Sequence, residues 1–186
     1  MLKSVIISGP PAIGKTTVAQ GLAEEFNLNH LSGGDILKEM AQAEGFSSHG
    51  DDWWDTQDGM NFLEKRKINT DFDKKVDEKL QELFHQGNVV ITSYTLPWLV
   101  NDGIKLWLSG SFVNSARRMK TRDNVTELDA LEVVKKRFDE NKEIYKSLYN
   151  FEFGQDLSVF DKIINTDDLD AEQVLKIAKL TVRELL

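Results

Sequence analysis

Short apolar runs alternate with stretches of helical periodicity along the 186 residues of the chain. Runs rich in Val and Ile, four to seven residues long, predict buried strands. Apolar positions three and four residues apart predict amphipathic helices between them. Strands that alternate with helices are typical of a parallel sheet covered by helices on both faces. The predicted strands are 2–8, 29–32, 89–92, 104–108 and 162–165.

The predicted helices differ in charge. Those after the first strand and at the end of the chain (171–186) are amphipathic, whereas the helical stretches within 37–87 and 114–150 are strongly polar. We expect a helix from Asp35 to Gly45, helical structure over 60–84 with a break near Asn69, and helices over 111–123 and 127–149. Pro97 should close any helix begun at Tyr94. Residues 46–58, with Trp53 and Trp54, predict a docking loop in which the tryptophans either stack on a base or, more commonly, pack the segment against the core.

The first strand leads into a segment that fits the Walker A spacing, and the segment leads into a helix. Glycines at its two ends let successive N–H groups turn toward a phosphate, which the positive end of the helix also attracts. Lys15 would bridge the β- and γ-phosphates, and the Thr16 hydroxyl would bind Mg²⁺. The motif therefore predicts a nucleoside triphosphate site formed by Gly9, Pro10, Pro11, Ala12, Ile13, Gly14, Lys15, Thr16 and Thr17.

Composition narrows the possible functions. The net charge of -8 argues against binding to a nucleic acid polymer or a membrane surface. The absence of cysteine excludes disulfides, thiolate zinc sites and cysteine nucleophiles. The chain enters a strand almost at once, with no signal peptide and no apolar run long enough to span a bilayer. We therefore expect a cytoplasmic protein, and a monomer.

The order of further motifs resembles that of archaeal-type cytidylate kinases, which are nucleoside monophosphate kinases. The residues that carry the resemblance are 32–39 (SGGDILKE), 72–77 (FDKKVD), 87–90, 104–108 and 157–166. The resemblance implies a single α/β P-loop NTPase domain with a five-stranded parallel sheet in three layers. Its core would be about 1–36, 87–113 and 151–186, with an acceptor-binding insertion at about 37–86 and a lid at about 114–150. It also implies phosphoryl transfer from ATP to CMP or dCMP with Mg²⁺.

Candidate site residues follow from charge and from the resemblance. Arg118 and Arg122 share a helix face and could clamp the ATP phosphates, or belong to a solvated basic face with Arg117 and Lys120. Arg137 resembles the lid arginine that touches the acceptor phosphate. On the acceptor side, the candidates are Ser32, Lys38, Asp73 and Asp77. Either aspartate could accept a hydrogen bond from the cytosine amino group, or both could lie on a solvated acidic face.

The chain departs from the family pattern near the acceptor phosphate. Thr92-Ser93-Tyr94 stands where an acidic residue, glycine and arginine are expected, Asn141 replaces an acidic residue, and Ile144 replaces an arginine. Compensating cations could come from Arg66 or from Lys67, Lys135, Lys136, Lys142 and Lys146. These departures leave two alternatives open: a small-molecule kinase with another acceptor, or a regulatory protein that binds nucleotides without phosphotransfer.

Overall fold

A computed structural model describes residues 4–46, 53, 56–123 and 125–186 of the chain. It contains one parallel sheet of five strands in the order β2-β3-β1-β4-β5. The predicted α/β fold is therefore confirmed. The strands are β1 (Val5–Ser8), β2 (Asn29–Ser32), β3 (Val89–Thr92), β4 (Ile104–Ser109) and β5 (Lys162–Asn165).

Helices connect the strands and cover the sheet. They are α1 (Lys15–Phe26), α2 (Gly33–Ala43), α3 (Gln57–Ile68), α4 (Asp71–Gln86), α5 (Leu96–Leu99), α6 (Phe112–Asp123), α7 (Glu127–Tyr149) and α8 (Ala171–Leu185). In the described part of the chain, none of them combines the length and the apolar character needed to cross a membrane.

Alternation of side chains along β1 creates two apolar cores. Val5 and Ile7 pack with α1 and α8 on one face of the sheet, whereas Ile6 packs with α2 and α4 on the other. All three side chains are fully buried. Because β1 is central and its neighbours β3 and β4 lie on opposite sides, a crevice opens at the carboxyl ends of these strands, where α/β proteins bind ligands.

Three local differences from the predicted elements have clear causes. Helix α2 begins at Gly33 rather than Asp35, because the Ser32 hydroxyl caps it by accepting a hydrogen bond from the Asp35 amide at 3.4 Å. Helix α3 begins at Gln57 for the same reason, with Thr56 as its cap. The expectation that Pro97 ends a helix is wrong. Pro97 lies in the first turn of α5, where its missing N–H breaks no helical hydrogen bond.

Of the two tryptophans in the predicted docking loop, Trp53 belongs to the described residues. Trp53 is 2% exposed and packs against Phe62, with ring centroids 5.8 Å apart, inside the core cluster that also holds Ile6. Trp53 therefore packs its segment against the core, as the more common alternative predicted. Trp54 lies outside the described residues, as do 47–52 and Asp55.

Candidate active site

The loop between β1 and α1 requires glycine at both of its ends. Gly9 has φ of +147°, and a Cβ at this position would lie 2.4 Å from the carbonyl oxygen of Leu108 on β4. Gly14 has φ of +101° and is the residue before α1. Both conformations are open to glycine at little cost, and they turn the loop back over the start of the helix. The Walker A segment thus has the strand–loop–helix context that phosphate binding needs.

Lys15 is folded back onto this loop. Its Nζ donates to the carbonyl oxygens of Gly9 at 2.9 Å and Pro10 at 2.7 Å, and lies 4.7 Å from the ring centroid of Tyr94. Burial, reinforced by the charge of Arg137, lowers the pKa of Lys15 well below its usual value. Phosphate oxygens would be stronger acceptors than the two carbonyls and would favour the charged ammonium.

One crevice of about 710 Å³ brings the predicted site residues together. Its wall is contributed by the Walker A segment, by α2 to α4, by the residues after β3 and by the polar helices α6 and α7. The predicted residues that line it are Ala12, Ile13, Gly14, Lys15, Thr16, Thr17, Ser32, Lys38, Asp73, Asp77, Arg118, Arg122 and Arg137. Gly9, Pro10 and Pro11 do not line it, although the carbonyls of Gly9 and Pro10 hold Lys15 there.

The two arginines predicted on one face of α6 are held differently. Arg118 donates from Nη2 to the carbonyl oxygen of Thr166 at 2.8 Å and to its hydroxyl at 3.2 Å. Its Nη1 is buried and has no hydrogen-bond acceptor among the described residues. Arg122 pairs with the carboxylate of Asp123. Arg118 therefore joins α6 to the loop after β5.

The other basic residues of α6 fit the alternative of a solvated face. Arg117 and Lys120 both lie near Glu127, at 3.5 and 3.9 Å, and more than half of each side chain is exposed. Neither residue lines the crevice. The basic residues of α6 therefore form two groups: Arg118 and Arg122 line the crevice, whereas Arg117 and Lys120 lie outside it.

The two aspartates on α4 do not lie on a solvated face, since Asp73 is 3% and Asp77 4% exposed. Asp73 forms a two-pronged ion pair with Arg66, in which Nε donates to Oδ2 at 3.1 Å and Nη2 to Oδ1. Asp77 accepts hydrogen bonds from the hydroxyls of Thr95 and Tyr149, the latter at 2.8 Å. Both carboxylates are thus fixed in the crevice wall.

Burial raises the pKa of Asp77 to about 6, although the hydroxyls of Thr95 and Tyr149 lower it and the charges of Asp73 and Arg66 act in opposite directions. The folded protein therefore holds this proton at a pH where the unfolded chain, with an ordinary carboxyl pKa, has lost it. The Asp77 carboxyl therefore adds to the free energy of unfolding when the pH is below about 4. This contribution is lost as the pH rises through 6.

We accordingly expect the Asp77 carboxyl to make the free energy of unfolding fall by about 2–3 kcal/mol between pH 4 and pH 7. Urea unfolding at several pH values, for the native protein and for Asp77→Asn, isolates this contribution as the difference between the two curves. The difference should change between pH 4 and 6 and be flat above pH 7. A difference that is constant across this range would show that Asp77 has an ordinary pKa.

Several residues of the crevice wall were not predicted as site residues. Among them are Thr95 after β3, Tyr145 on α7, and His30 on β2, to which the sequence assigns no role. His30 is half-buried, and burial lowers its pKa against the opposing effect of Asp35. Thr95 lies 18 residues from the carboxylate it contacts and Tyr145 lies 79 from Arg66, so no local spacing could have identified them.

The residues that depart from the family pattern have structural roles of their own. Tyr94 joins an aromatic cluster by contacts to Tyr145 and Phe153, with ring centroids 6.2 and 5.3 Å apart. Ile144 is 2% exposed and packs in the same cluster. Asn141 accepts a hydrogen bond from Arg66 at 3.3 Å.

The chain is similar to known proteins over most of its length. Residues 8–143 match a family model described as an AAA domain. The chain is 31% identical to a cytidylate kinase of Sulfurisphaera tokodaii, covering 98% of this chain and 96% of that protein. It is 32% identical to a cytidylate kinase of Methanocaldococcus jannaschii, covering 97% and 98%. A shikimate kinase of Bacteroides thetaiotaomicron shares the fold, with a TM-score of 0.58 and 15% identity over 100% and 98% of the two chains.

Proposed function

Since this chain belongs to the cytidylate kinase family, we propose that it transfers the γ-phosphoryl group of ATP to CMP or dCMP. The observation that carries the proposal is the arrangement of one crevice. The Walker A lysine and two buried carboxylates on α4 line the same crevice. A donor triphosphate and an acceptor nucleotide bound in the same crevice would meet end to end, as in-line transfer requires.

The reaction needs little acid–base chemistry, because the attacking phosphate oxygen of the acceptor is already largely ionised near neutral pH. The barrier is the repulsion between two phosphate-bearing molecules, so catalysis depends on cations placed around the transferred group. We assign Lys15, Arg118 and Arg122 to the donor phosphates and Arg137 to the region between donor and acceptor. The Coulombic effect of Arg137 on Lys15 supports its place there.

Recognition of the base is assigned to the α4 carboxylates, with Ser32 and Lys38 at the acceptor side. Each carboxylate oxygen has two lone pairs, so Asp77 can accept from a ligand as well as from Thr95 and Tyr149. Cytosine presents an amino donor where uracil presents a carbonyl oxygen. An ionised Asp77 or Asp73 would therefore attract CMP and repel UMP.

The residues of the crevice fit a magnesium ion that arrives with the nucleotide. Thr16 offers a hydroxyl beside Lys15, and the exposed carboxylate of Asp35 also lines the crevice. The described residues contain no group of three His, Asp or Glu that would hold a metal by themselves. Mg²⁺ commonly keeps several waters and binds through phosphates with one or two protein oxygens. When bound, it would neutralise charge on the transferred phosphoryl group.

The proposal is tested by coupled ADP release with ATP and Mg²⁺ against CMP, dCMP, UMP, AMP, GMP and a blank without acceptor. We expect CMP or dCMP to give turnover well above every other acceptor. If UMP, AMP or GMP matches CMP, base recognition by the α4 carboxylates is wrong. If every acceptor matches the blank while ATP binds, the chain is a kinase with another acceptor or a nucleotide-binding regulator.

A further inference from the structure

We propose that Arg66 binds the phosphate of the acceptor nucleotide through its Nη1 group. This assignment rests on the proposed function, because it requires a phosphorylated acceptor in the crevice. It identifies a cation for the acceptor phosphate in a chain whose residues 94 and 144 are Tyr and Ile instead of the arginines expected there.

The hydrogen bonds of Arg66 leave one edge of its guanidinium open. The side chain lines the crevice from α3 and is 2% exposed. Asp73 takes the edge formed by Nε and Nη2, and Nη2 also reaches Asn141 at 3.3 Å and the Tyr145 hydroxyl at 3.5 Å. Nη1 donates to none of the described residues, and the side chain as a whole lines the crevice. The two N–H groups of Nη1 are therefore available to a ligand in the crevice.

A series of contacts connects this edge to the donor site. Lys15 Nζ lies over the ring of Tyr94, Tyr94 packs against Tyr145, and the Tyr145 hydroxyl contacts Arg66. Arg66 is thus two aromatic side chains away from the Walker A lysine, in the acceptor half of the crevice. An acceptor phosphate must lie between these two cations to attack the γ-phosphorus in line.

Other cations from α3 and α7 that could have compensated face elsewhere. Lys67 pairs with Glu140 at 2.6 Å and Glu143 at 3.2 Å, outside the crevice. Three lysines of α7 behave similarly: Lys136 pairs with Glu64, and Lys142 and Lys146 pair with Glu152. The fourth, Lys135, is exposed and does not line the crevice. Within the described ranges, Arg66 is the buried cation of the acceptor wall.

The ion pair with Asp73 prepares Arg66 for this role. Burial is the largest single influence and would lower the pKa of Arg66, but the charge of Asp73, the electrostatic effect of Tyr145 and the hydrogen bonds to both residues together outweigh it. The pKa is therefore raised and the guanidinium stays charged. The contacts with Asp73, Asn141 and Tyr145 also fix its plane before a ligand binds. A planar guanidinium held in this way presents its remaining nitrogen, Nη1, to a phosphate in a fixed direction, which the flexible ammonium of a lysine does not.

The test compares Asp73→Asn with the double variant Arg66→Gln/Asp73→Asn, which differ only at residue 66. Neither has a buried, unpaired carboxylate, although Asp73→Asn leaves Arg66 without its anion, so thermal melting checks that both variants fold. Calorimetry with a non-hydrolysable ATP analogue and Mg²⁺ measures the affinities for CMP and for cytidine, which has no phosphate. We expect the double variant to lose about 10- to 100-fold in the ratio of CMP to cytidine affinity, with cytidine affinity unchanged. Arg66→Lys/Asp73→Asn should lie between the two.

An unchanged ratio would overturn the assignment, and equal losses for CMP and cytidine would show that Arg66 contacts the base instead. Lys74→Gln, an exposed neighbour of Asp73 on α4, is the matched control and should change neither affinity. Wild-type protein that binds CMP no better than cytidine would overturn the proposed function together with this assignment. Wild-type protein that phosphorylates CMP while the ratio stays constant would overturn the assignment alone.

Discussion

Replacing Lys15 with alanine should reduce turnover with ATP and the preferred acceptor by about 10²- to 10³-fold or more. The physical reason is that Nζ, which now donates to the carbonyls of Gly9 and Pro10, is the cation positioned to follow charge on the β- and γ-phosphates. No other described cation lies within the Walker A loop. Steady-state ADP release with saturating CMP measures the effect.

The fold should survive this change, because Lys15 belongs to none of the apolar core clusters and loses only its contacts with the Tyr94 ring and with two loop carbonyls. Near-ultraviolet circular dichroism and the melting temperature test this point. Lys176→Ala, on the exposed face of α8, is the control and should keep full turnover. Turnover of Lys15→Ala within a few-fold of the native value would contradict the assignment of this crevice to phosphoryl transfer.

Replacing Arg66 with leucine should lower the free energy of unfolding by about 3–5 kcal/mol, which is the usual cost of leaving a buried ion unpaired. Asp73 is 3% exposed, and its two oxygens would lose the Nε and Nη2 donors of Arg66. Asn141 and Tyr145 would lose a hydrogen bond each. Urea unfolding at pH 7, followed by fluorescence, measures the loss.

The double variant Arg66→Leu/Asp73→Leu separates this explanation from a simple loss of packing. Buried ion pairs exchanged for apolar residues are often neutral in stability, so the double variant should recover most of the loss. Asp73→Leu alone should also destabilise the protein, since it leaves Arg66 buried without its anion. If the double variant is as unstable as the sum of the single changes, the ion pair is not the source of the effect.

The local parts of the site were predictable because they depend on neighbours in sequence. The Walker A spacing from Gly9 to Thr17, the apolar run before it and the helical periodicity after it all act within about twenty residues. The parallel five-stranded sheet followed from the alternation of buried strands and helices, and it is confirmed. The order of motifs that resembles cytidylate kinases agrees with the family relationship found by comparison.

The partners of the charged residues were not predictable, because each depends on segments far apart in the chain. The sequence does not decide whether Asp73 and Asp77 lie on a solvated face or in the site. Their burial and their contacts with Arg66, Thr95 and Tyr149 place them in the crevice wall. The prediction that Pro97 ends a helix is wrong, because a proline is tolerated in the first turn of a helix and the sequence leaves the start of α5 open.

The sequence by itself thus determined the fold class, the nucleotide-binding loop and the family, since these follow from local patterns and from the order of motifs. Only the tertiary structure decided which cations face the crevice. The open edge of Arg66 depends on Asp73 seven residues away and on Asn141 seventy-five residues away. Such contacts depend on how α3, α4 and α7 pack together, because the direction of a side chain is set by its neighbours in space and not by those in sequence.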